Sequence, residues 1–401
     1  ARQESSGPLG RLHVSRRACS DTRSNRTNFA RKVTLDCPAV YYVQGKVALG
    51  SMGGSNRLAE LAKVVGGRRT LVVAHDNPDP DCLGAGLAMR DVLAELTGRP
   101  VPVAYGGIIG RAENRALVEV LELDLLPMKQ VQLDEFQAFV LVDTQPGAGN
   151  YSLPERYLPT VVIDHHQPPV RLGPAEYFDV RTEYGATTTV ALEYRNAIDR
   201  PIDPKLATAM FYGIKSDTQD LGRHVSEADV EAYLQLFPLV DKVLLPQIER
   251  PRLPRLYFES LRMALERAHL WGTVLISALD EMDNPNTAAE MADYFLRLEG
   301  VTWSICFGYH GDGLYVSVRT SDPDANAATV IQSAIRELGS SGGHGMMAGA
   351  KVARPDDPDE RVRLRKTISR RFREVLGVAD LKPEKVLEVR PGQQDSAGPE
   401  E

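Results

Sequence analysis

A histidine and two aspartates follow the first strongly apolar run of the chain at short spacing. The segment AHDNPDPDCLGAG places His75, Asp79 and Asp81 directly after the run TLVVA. The two prolines between these residues favour an extended backbone, which can direct both carboxylates towards one point. Oxygen and imidazole ligands suit Mn²⁺ or Mg²⁺, and less often Zn²⁺ or Co²⁺. Taken alone, the segment fits a turn of solvated aspartates equally well.

Further acidic and imidazole groups stand at the ends of later segments. Asp143 ends AFVLVD, the triplet Asp164-His165-His166 ends TVVIDHH, and Asp217 follows a helical stretch in FYGIKSDTQD. Ionisable groups are costly to gather in one place unless cations neutralise them. The sequence therefore predicts a paired-metal site. Its candidate residues are His75, Asp79, Asp81, Asp143, Asp164, His165, His166 and Asp217.

Alternating strands and helices must position these groups. Strands are predicted at 70–74, 101–105, 138–143 and 160–164, and helices near 83–97, 112–123, 186–197, 204–215 and 226–237. This alternation predicts an α/β fold with a doubly wound, mostly parallel sheet. Ligands of such sheets bind beyond the carboxyl ends of the strands. Three of the predicted strands end in the polar clusters, which is the expected place for an active site.

A second pattern of strands and helices begins after a segment rich in proline and arginine. It predicts a smaller α/β domain, with one strand at 271–279, helices near 287–298, 325–338 and 358–376, and strands at 301–309 and 313–319. The predicted parts are a catalytic domain at 52–240, a linker with a connecting helix at 241–269, a second domain at 270–380 and a flexible tail at 381–401. We expect residues 1–51 to be a disordered or non-native leader, with the native start near Met52.

The motif segments resemble those of the DHH phosphoesterase superfamily, named for its Asp-His-His triplet. The resemblance covers residues 55–235 for the catalytic domain, and SSGGHGMMAGA at 340–350 looks like the Gly-Gly-His signature of the DHH-associated substrate-binding domain. Members include RecJ-type exonucleases, nanoRNase and pAp phosphatases, cyclic-dinucleotide phosphodiesterases, family II pyrophosphatases and exopolyphosphatases. The resemblance implies a metal-dependent phosphoesterase.

Carried over residue by residue, the resemblance implies two divalent cations, with Mn²⁺ preferred and Mg²⁺ or Co²⁺ as alternatives. Two such cations activate a water and stabilise the attacking and leaving oxygens. The implied ligands are His75 and Asp79 for the first cation, Asp81, His165 and Asp217 for the second, and Asp143 bridging both.

The remaining triplet residues have separate implied roles. Asp164 would orient an imidazole, and His166 would face the phosphate as a hydrogen-bond donor or as the acid for the leaving oxygen. Arg223 and His224 follow the Asp217 motif. They fit either the substrate site or a solvated surface.

The second domain is expected to hold the rest of the substrate. Gly342 and Gly343 permit close backbone approach and can present N–H groups to an anion, and His344 can donate to a phosphate. A glycine turn between two elements is the alternative. Arg319 matches a family position where arginine contacts a phosphate, and a surface arginine at a strand end is the alternative there.

The substrate is less well defined than the chemistry. Nuclease-type members commonly have glycine at the position of Pro80. They often have glycine directly after the Asp-Thr pair as well, where this chain has Gln219 after Asp217-Thr218. Our leading prediction is hydrolysis of short oligonucleotides, as by a nanoRNase-like exonuclease, or of pAp-like nucleotides. The few basic residues at 270–350 favour nucleotides over polyphosphate. The alternatives are an exopolyphosphatase or pyrophosphatase, a cyclic-dinucleotide phosphodiesterase, and a non-catalytic nucleotide sensor.

Charge and hydropathy limit the partners. Residues 1–51 hold nine Lys and Arg against three Asp and Glu, so the whole-chain charge of −7 leaves −13 on the other 350 residues. Such an acidic body argues against binding of long duplex nucleic acid. The four cysteines of the whole chain show no metal-ligand spacing, and no apolar run reaches membrane-spanning length. We therefore expect a cytoplasmic protein without membrane contact; a homodimer is left open.

Overall fold

Apolar, β-branched segments form a parallel sheet in the first part of the chain. The computed structural model describes residues 51–167 and 173–387. The strands are β1 (Thr70–Ala74), β2 (Val103–Tyr105), β3 (Leu126–Pro127), β4 (Ala138–Val142), β5 (Val161–Asp164) and β6 (Tyr177–Val180). Their order is β3-β2-β1-β4-β5-β6, and every neighbouring pair is parallel. β1, β4 and β5 are buried throughout, as their uninterrupted apolar runs predict.

Helices cover one face of this sheet. They are α1 (Ser51–Val65), α2 (Pro80–Thr97), α3 (Ala112–Leu121), α4 (Thr187–Asn196), α5 (Pro204–Asp217), α6 (Glu227–Leu236) and α7 (Leu245–Glu249). Val72 of β1 packs into the core formed with these helices, whereas Leu71 and Val73 pack on the other face with Met128 and Leu153. Successive residues of a strand point to opposite faces, so β1 contributes to both cores.

The second domain contains a mixed sheet. Its strands are β7 (Ala268–Trp271), β8 (Val274–Glu281), β9 (Trp303–His310), β10 (Gly313–Thr320), β11 (Gly339–His344), β12 (Met347–Ala353) and β13 (Glu384–Lys385), with α8 (Arg255–Arg267), α9 (Thr287–Phe295), α10 (Ala327–Ile335) and α11 (Pro358–Val375). The order is β11-β12-β10-β9-β8-β7-β13, in which β8 and β9 run parallel and the other described pairs run antiparallel. The prediction of an α/β chain with a parallel catalytic sheet and a second α/β domain is confirmed.

Three local predictions differ from the structure. The strand predicted at 271–279 is a hairpin, because Gly272 adopts a φ of 62° and turns the chain between β7 and β8. The predicted linker contains α7, a single short turn whose length is too small for a periodic signal. The predicted flexible tail contains β13, a strand of two residues that pairs with β7. The pairing uses backbone hydrogen bonds, and two residues are too few to give a recognisable sequence pattern.

The leader predicted at 1–51 lies outside the described residues except for Ser51, which begins α1. The predicted domain boundaries stay predictions. None of the helices in the described part of the chain is long and apolar enough to cross a membrane.

Candidate metal centre

Asp143 lies between two imidazoles at the carboxyl edge of the parallel sheet. His75 follows β1, Asp143 follows β4 and His165 follows β5, so the sheet brings all three together. The Nε2 atom of His75 is 3.3 Å from Asp143 Oδ2, and His165 Nε2 is 3.8 Å from Asp143 Oδ1. His165 Nε2 is also 3.4 Å from Asp217 Oδ2 at the end of α5. Residues from four elements thus meet around one buried carboxylate.

The hydrogen bonds of the two imidazoles favour the metal-binding tautomer. His75 Nδ1 is 3.0 Å from the carbonyl oxygen of Asp76, and His165 Nδ1 is 3.0 Å from that of Tyr184. A carbonyl oxygen only accepts, so each Nδ1 carries the proton. Each Nε2 then faces carboxylate oxygens. A protonated ring donates a hydrogen bond to them, and a neutral ring presents its lone pair beside them. A cation can take the place of the proton between Nε2 and the carboxylates, and the residues present therefore fit divalent cations.

Asp81 is held by the start of α4. It is 1% exposed, its Oδ2 accepts the N–H of Thr187 at 2.7 Å, and its Oδ1 accepts the N–H of Thr188 at 2.9 Å. The Ncap residue of α4, Ala186, has no hydrogen-bonding side chain. Asp81 therefore accepts backbone N–H groups in the first turn of α4 that this helix cannot bond itself. Neither threonine was singled out in the sequence, although the run of three at a predicted helix start was a possible signal.

Asp79 has a different environment from Asp81. It is the Ncap residue of α2, and its Oδ1 accepts the N–H groups of Asp81 and Cys82 at 3.1 Å each. Its side chain is 46% exposed, and Oδ1 lies 3.8 Å from His75 Nε2. The start of α2 therefore fixes the Asp79 carboxylate through these hydrogen bonds, and Pro80 occupies the first helical position.

The carboxylates of the centre repel one another. Burial raises the pKa of Asp217 to about 6, and the charges of Asp79 and Asp143 add to this against the opposing effect of His165. Burial also raises the pKa of Asp81 well above its usual range, with further contributions from Asp143, Asp217 and Asp79. A bound cation would relieve this excess of negative charge.

Cys82 belongs to the core of this region. Candidate ligand atoms within 4.8 Å of one another occur in three sets: His75, Cys82 and Asp143; Asp143, His165 and His166; and Asp81, His165 and Asp217. Burial raises the pKa of the Cys82 thiol to about 12, and its Sγ lies 3.5 Å from the carbonyl oxygen of Val142. A neutral, buried thiol is a poor ligand.

Asp164 orients His166. The carboxylate is fully buried, and its Oδ1 lies 2.9 Å from His166 Nδ1 while accepting the N–H of His165 at 2.8 Å. Among the described residues, Asp164 Oδ2 has no hydrogen-bond partner. Burial acts to lower the pKa of His166, but the hydrogen bond with Asp164 and the charge of Asp143 raise it to about 10. The imidazole is 36% exposed, so a protonated side chain is accessible from solvent.

Backbone strain coincides with the centre. Asp143 has a φ of 60° and Asn77 a φ of 59°, in the left-handed region that residues other than glycine seldom adopt. Asn77 is held there by the N–H of Ile108, which donates to its Oδ1 at 2.9 Å. Strained residues of this kind cluster at functional sites, where the surrounding structure fixes them.

Arg319 is a buried residue of the second domain. It is 8% exposed, its Nε donates to Asp293 Oδ1 at 2.5 Å, and its Nη1 donates to Ser317 Oγ at 2.8 Å. Asp293 Oδ2 lies 2.9 Å from Arg111 Nη2 of the first domain. The alternative of an exposed arginine at a strand end is therefore wrong. Arg111 and Asp293 were not predicted, since neither lies in a recognisable motif.

Gly342 and Gly343 lie in a strand rather than in a loop. Both belong to β11, opposite Gly349 and Ala348 of β12. Gly343 has a φ of 146°, and a Cβ there would lie 2.5 Å from the Cα of Ala348, so close strand packing explains this glycine without an anion. A Cβ at Gly342 would meet open space. Anion binding by the pair stays a prediction.

The last predicted substrate residues have separate positions. His344 ends β11, and its side chain lies outside what the structure describes. Arg223 is half-buried, and its Nε is a buried donor without an acceptor among the described residues. His224 is exposed and has a φ of 45°. The buried donor favours a site-facing Arg223 over a solvated one.

Both domains match known families. Residues 69–214 match the DHH family, N-terminal domain, and residues 272–374 match the DHHA1 domain. An uncharacterized protein from Methanocaldococcus jannaschii is 32% identical over 338 residues, covering 82% of this chain and 68% of that protein.

One solved structure shares the fold, and a second is a weaker match. An exopolyphosphatase-related protein from Bacteroides fragilis has a TM-score of 0.60 at 13% identity, covering 80% of this chain and 98% of that one. RecJ from Thermus thermophilus, in complex with Mn²⁺, has a TM-score of 0.48 at 16% identity, covering 82% of this chain and 55% of that one. The two matched domains follow each other along a chain whose motif residues meet at one sheet edge. This chain belongs to the DHH family of metal-dependent phosphoesterases.

Proposed function

We propose that this chain hydrolyses very short oligonucleotides or pAp-like nucleotides with two divalent cations, preferably Mn²⁺. The observation that carries the proposal is the position of Asp143, with one carboxylate oxygen towards His75 Nε2 and the other towards His165 Nε2. A carboxylate flanked on both sides by metal-binding imidazoles is suited to bridging two cations. Asp79 would complete the first site, and Asp81 and Asp217 the second.

Bound cations would polarise the phosphoryl oxygens and activate the attacking water. The protein groups keep the required charge states. Burial acts to raise the pKa of Asp143, but the hydrogen bond with His75 and the charge of His166 hold it well below the usual range, so the carboxylate stays ionised. His166, oriented by Asp164, retains a proton that it can donate to the leaving oxygen.

Basic residues near the centre support a substrate with more than one phosphate. Arg223 lies next to the Asp217 segment, where its backbone N–H donates to the carbonyl oxygen of Thr218 at 2.9 Å. Its charge attracts the carboxylate of Asp217 and repels the guanidinium of Arg319. Guanidinium groups bind phosphate through paired N–H donors. A nucleotide with two phosphates can contact the cations with one and the arginines with the other.

A second candidate is hydrolysis of inorganic polyphosphate or pyrophosphate. The arginines of the first domain add to the few basic residues at 270–350, which weakens the compositional argument against bare phosphate chains. The Bacteroides fragilis protein of similar fold is described as exopolyphosphatase-related. The two candidate substrates differ in the base. A nucleotide has a base that the protein must accommodate, whereas a bare phosphate chain has none.

The test is a substrate panel with purified protein and Mn²⁺. The panel contains pAp, a 5′-phosphorylated dinucleotide, a cyclic dinucleotide, pyrophosphate and a polyphosphate chain, with Asp143→Asn as the inactive control. We expect the fastest turnover for pAp or the dinucleotide and none for Asp143→Asn. Turnover of polyphosphate or pyrophosphate alone would contradict the nucleotide proposal, and so would equal rates for the variant and the wild type.

A further inference from the structure

Asp293 binds one arginine from each domain. It lies on α9, where its Oδ1 accepts a hydrogen bond from Arg319 Nε at 2.5 Å and its Oδ2 lies 2.9 Å from Arg111 Nη2. Arg319 belongs to β10 in the second domain, and Arg111 precedes α3 in the first. We call this trio the clasp. A single carboxylate thus links the domains through charge-assisted contacts.

The clasp lies beside the metal centre. Arg111 and Arg223 both repel the guanidinium of Arg319, whose pKa is lowered chiefly by burial. Arg223 attracts the carboxylate of Asp217, and Arg111 attracts that of Asp79. Hydrogen bonds join the segment around Arg111 to the segment that carries Asp79: Ile108 N–H donates to Asn77 Oδ1 at 2.9 Å, and Asn114 Nδ2 donates to the carbonyl oxygen of Pro78 at 3.2 Å. The clasp therefore adjoins the first metal-binding segment.

A purely structural role explains the clasp poorly. The Arg319 side chain is 9% exposed, so its burial carries a desolvation cost, whereas Asp293 is 37% exposed and its attraction is screened by solvent. Among the residues that the structure describes, none accepts a hydrogen bond from Arg319 Nη2. The guanidinium of Arg319 is therefore a buried cation with an unused N–H donor group, and solvent can reach its partner Asp293.

A phosphate group fits the same donors. Carboxylate and phosphate oxygens both accept paired hydrogen bonds from guanidinium groups, and phosphate carries more charge. Anionic groups that bind the same donors compete for them. In this geometry, the Asp293 carboxylate occupies the position that the arginines would offer to an anion from solution.

We propose that Asp293 is a displaceable internal substitute for a second phosphate group of the substrate. Arg111 and Arg319 release the carboxylate and bind that phosphate while the first phosphate group is at the metal centre. The inference rests on the proposed function and deepens it, because it defines the substrate class as molecules with two phosphate groups. Asp293 then acts as a specificity-determining residue, since a ligand with one phosphate leaves the clasp closed.

Two substitutions that break the same contact test the proposal by the sign of their effects. Asp293→Asn removes the competing charge with little change in shape, so the KM for adenosine 3′,5′-bisphosphate with Mn²⁺ should fall about tenfold. Arg111→Gln removes a phosphate ligand, so that KM should rise about tenfold. The kcat values should change little. Bis-p-nitrophenyl phosphate, which has one phosphate, should show unchanged KM values in both variants.

The matched control is Asp312→Asn, which removes the same charge next to the other end of β10, where Asp312 pairs with Lys351. It should leave both KM values unchanged. Calorimetric binding of the bisphosphate to EDTA-treated protein gives a readout independent of turnover, with the same opposite signs expected. The inference would be overturned if Asp293→Asn and Arg111→Gln changed the KM for the bisphosphate in the same direction, or if neither substitution changed it. If the wild type hydrolyses no phosphoester, the proposed function fails while calorimetry still tests the clasp.

Discussion

Thr187 donates a hydrogen bond from its Oγ1 to Asp143 Oδ1 at 2.7 Å, across 44 residues of sequence. The same residue donates its backbone N–H to Asp81 Oδ2 at 2.7 Å. Thr187 therefore fixes two carboxylates of the candidate metal centre from the first turn of α4. Groups that orient metal ligands in this way contribute to metal affinity without contacting the metal.

Replacing Thr187 with valine should weaken metal binding. The change keeps the side-chain shape but removes the donor to Asp143, so we expect a loss of Mn²⁺ affinity of about 10- to 100-fold. The measurement is calorimetric titration of Mn²⁺ into metal-free protein. Thr208→Val is the control, because Thr208 is equally buried but donates to a helix carbonyl oxygen. Equal affinities for Thr187→Val and the wild type would exclude this positioning role.

Removing the His166 imidazole should lower turnover more than metal binding. Asp164 holds this side chain in place, and it is accessible enough to donate a proton to a leaving oxygen. We expect His166→Ala to reduce kcat by about 10²- to 10⁴-fold while Mn²⁺ affinity stays within a few-fold of wild type. Steady-state rates and Mn²⁺ titration of the same preparation check this. A variant that keeps metal and full turnover would show that His166 is not the acid.

The convergence of the metal candidates was predictable, whereas their supporting contacts were not. His75 and Asp143 each follow an apolar strand, and parallel strands end at the same edge, so local pattern was sufficient. Thr187 and Asp293 act through contacts between elements far apart in the chain, which periodicity does not encode. Gly343 suggested an anion cradle, but its environment is the close approach of β12.

Mn²⁺ should stabilise the folded protein through Asp143. The carboxylates of the centre repel one another, and a cation bound to the folded state alone relieves this repulsion. At one hundred times its Kd, Mn²⁺ should raise the free energy of unfolding by about 2.7 kcal/mol. Thermal denaturation with Mn²⁺ and with EDTA measures the effect. Asp143→Asn should abolish most of the difference, and a full shift in that variant would argue against cation binding at Asp143.

Glu290 carries an unusual charge environment where the domains meet. It lies on α9, and burial raises the pKa of its carboxyl group to about 7. The charge of Glu113 on α3 and that of Asp293 act in the same direction, while Arg111 and Arg115 oppose them. The folded protein therefore binds a proton at Glu290 at pH values where the unfolded chain has already released it.

This difference in pKa should make the protein less stable as pH rises from about 4.5 to about 7. Below that window both states are protonated and Glu290 has no effect; above it both are ionised, and the folded state carries the full cost of the buried charge. Glu290→Gln should then raise the free energy of unfolding at pH 8 by about 1–2 kcal/mol and leave it unchanged at pH 4.5. Urea denaturation at both pH values measures this, with the exposed Glu299→Gln as control. A stabilisation equal at both pH values would point to packing rather than ionisation.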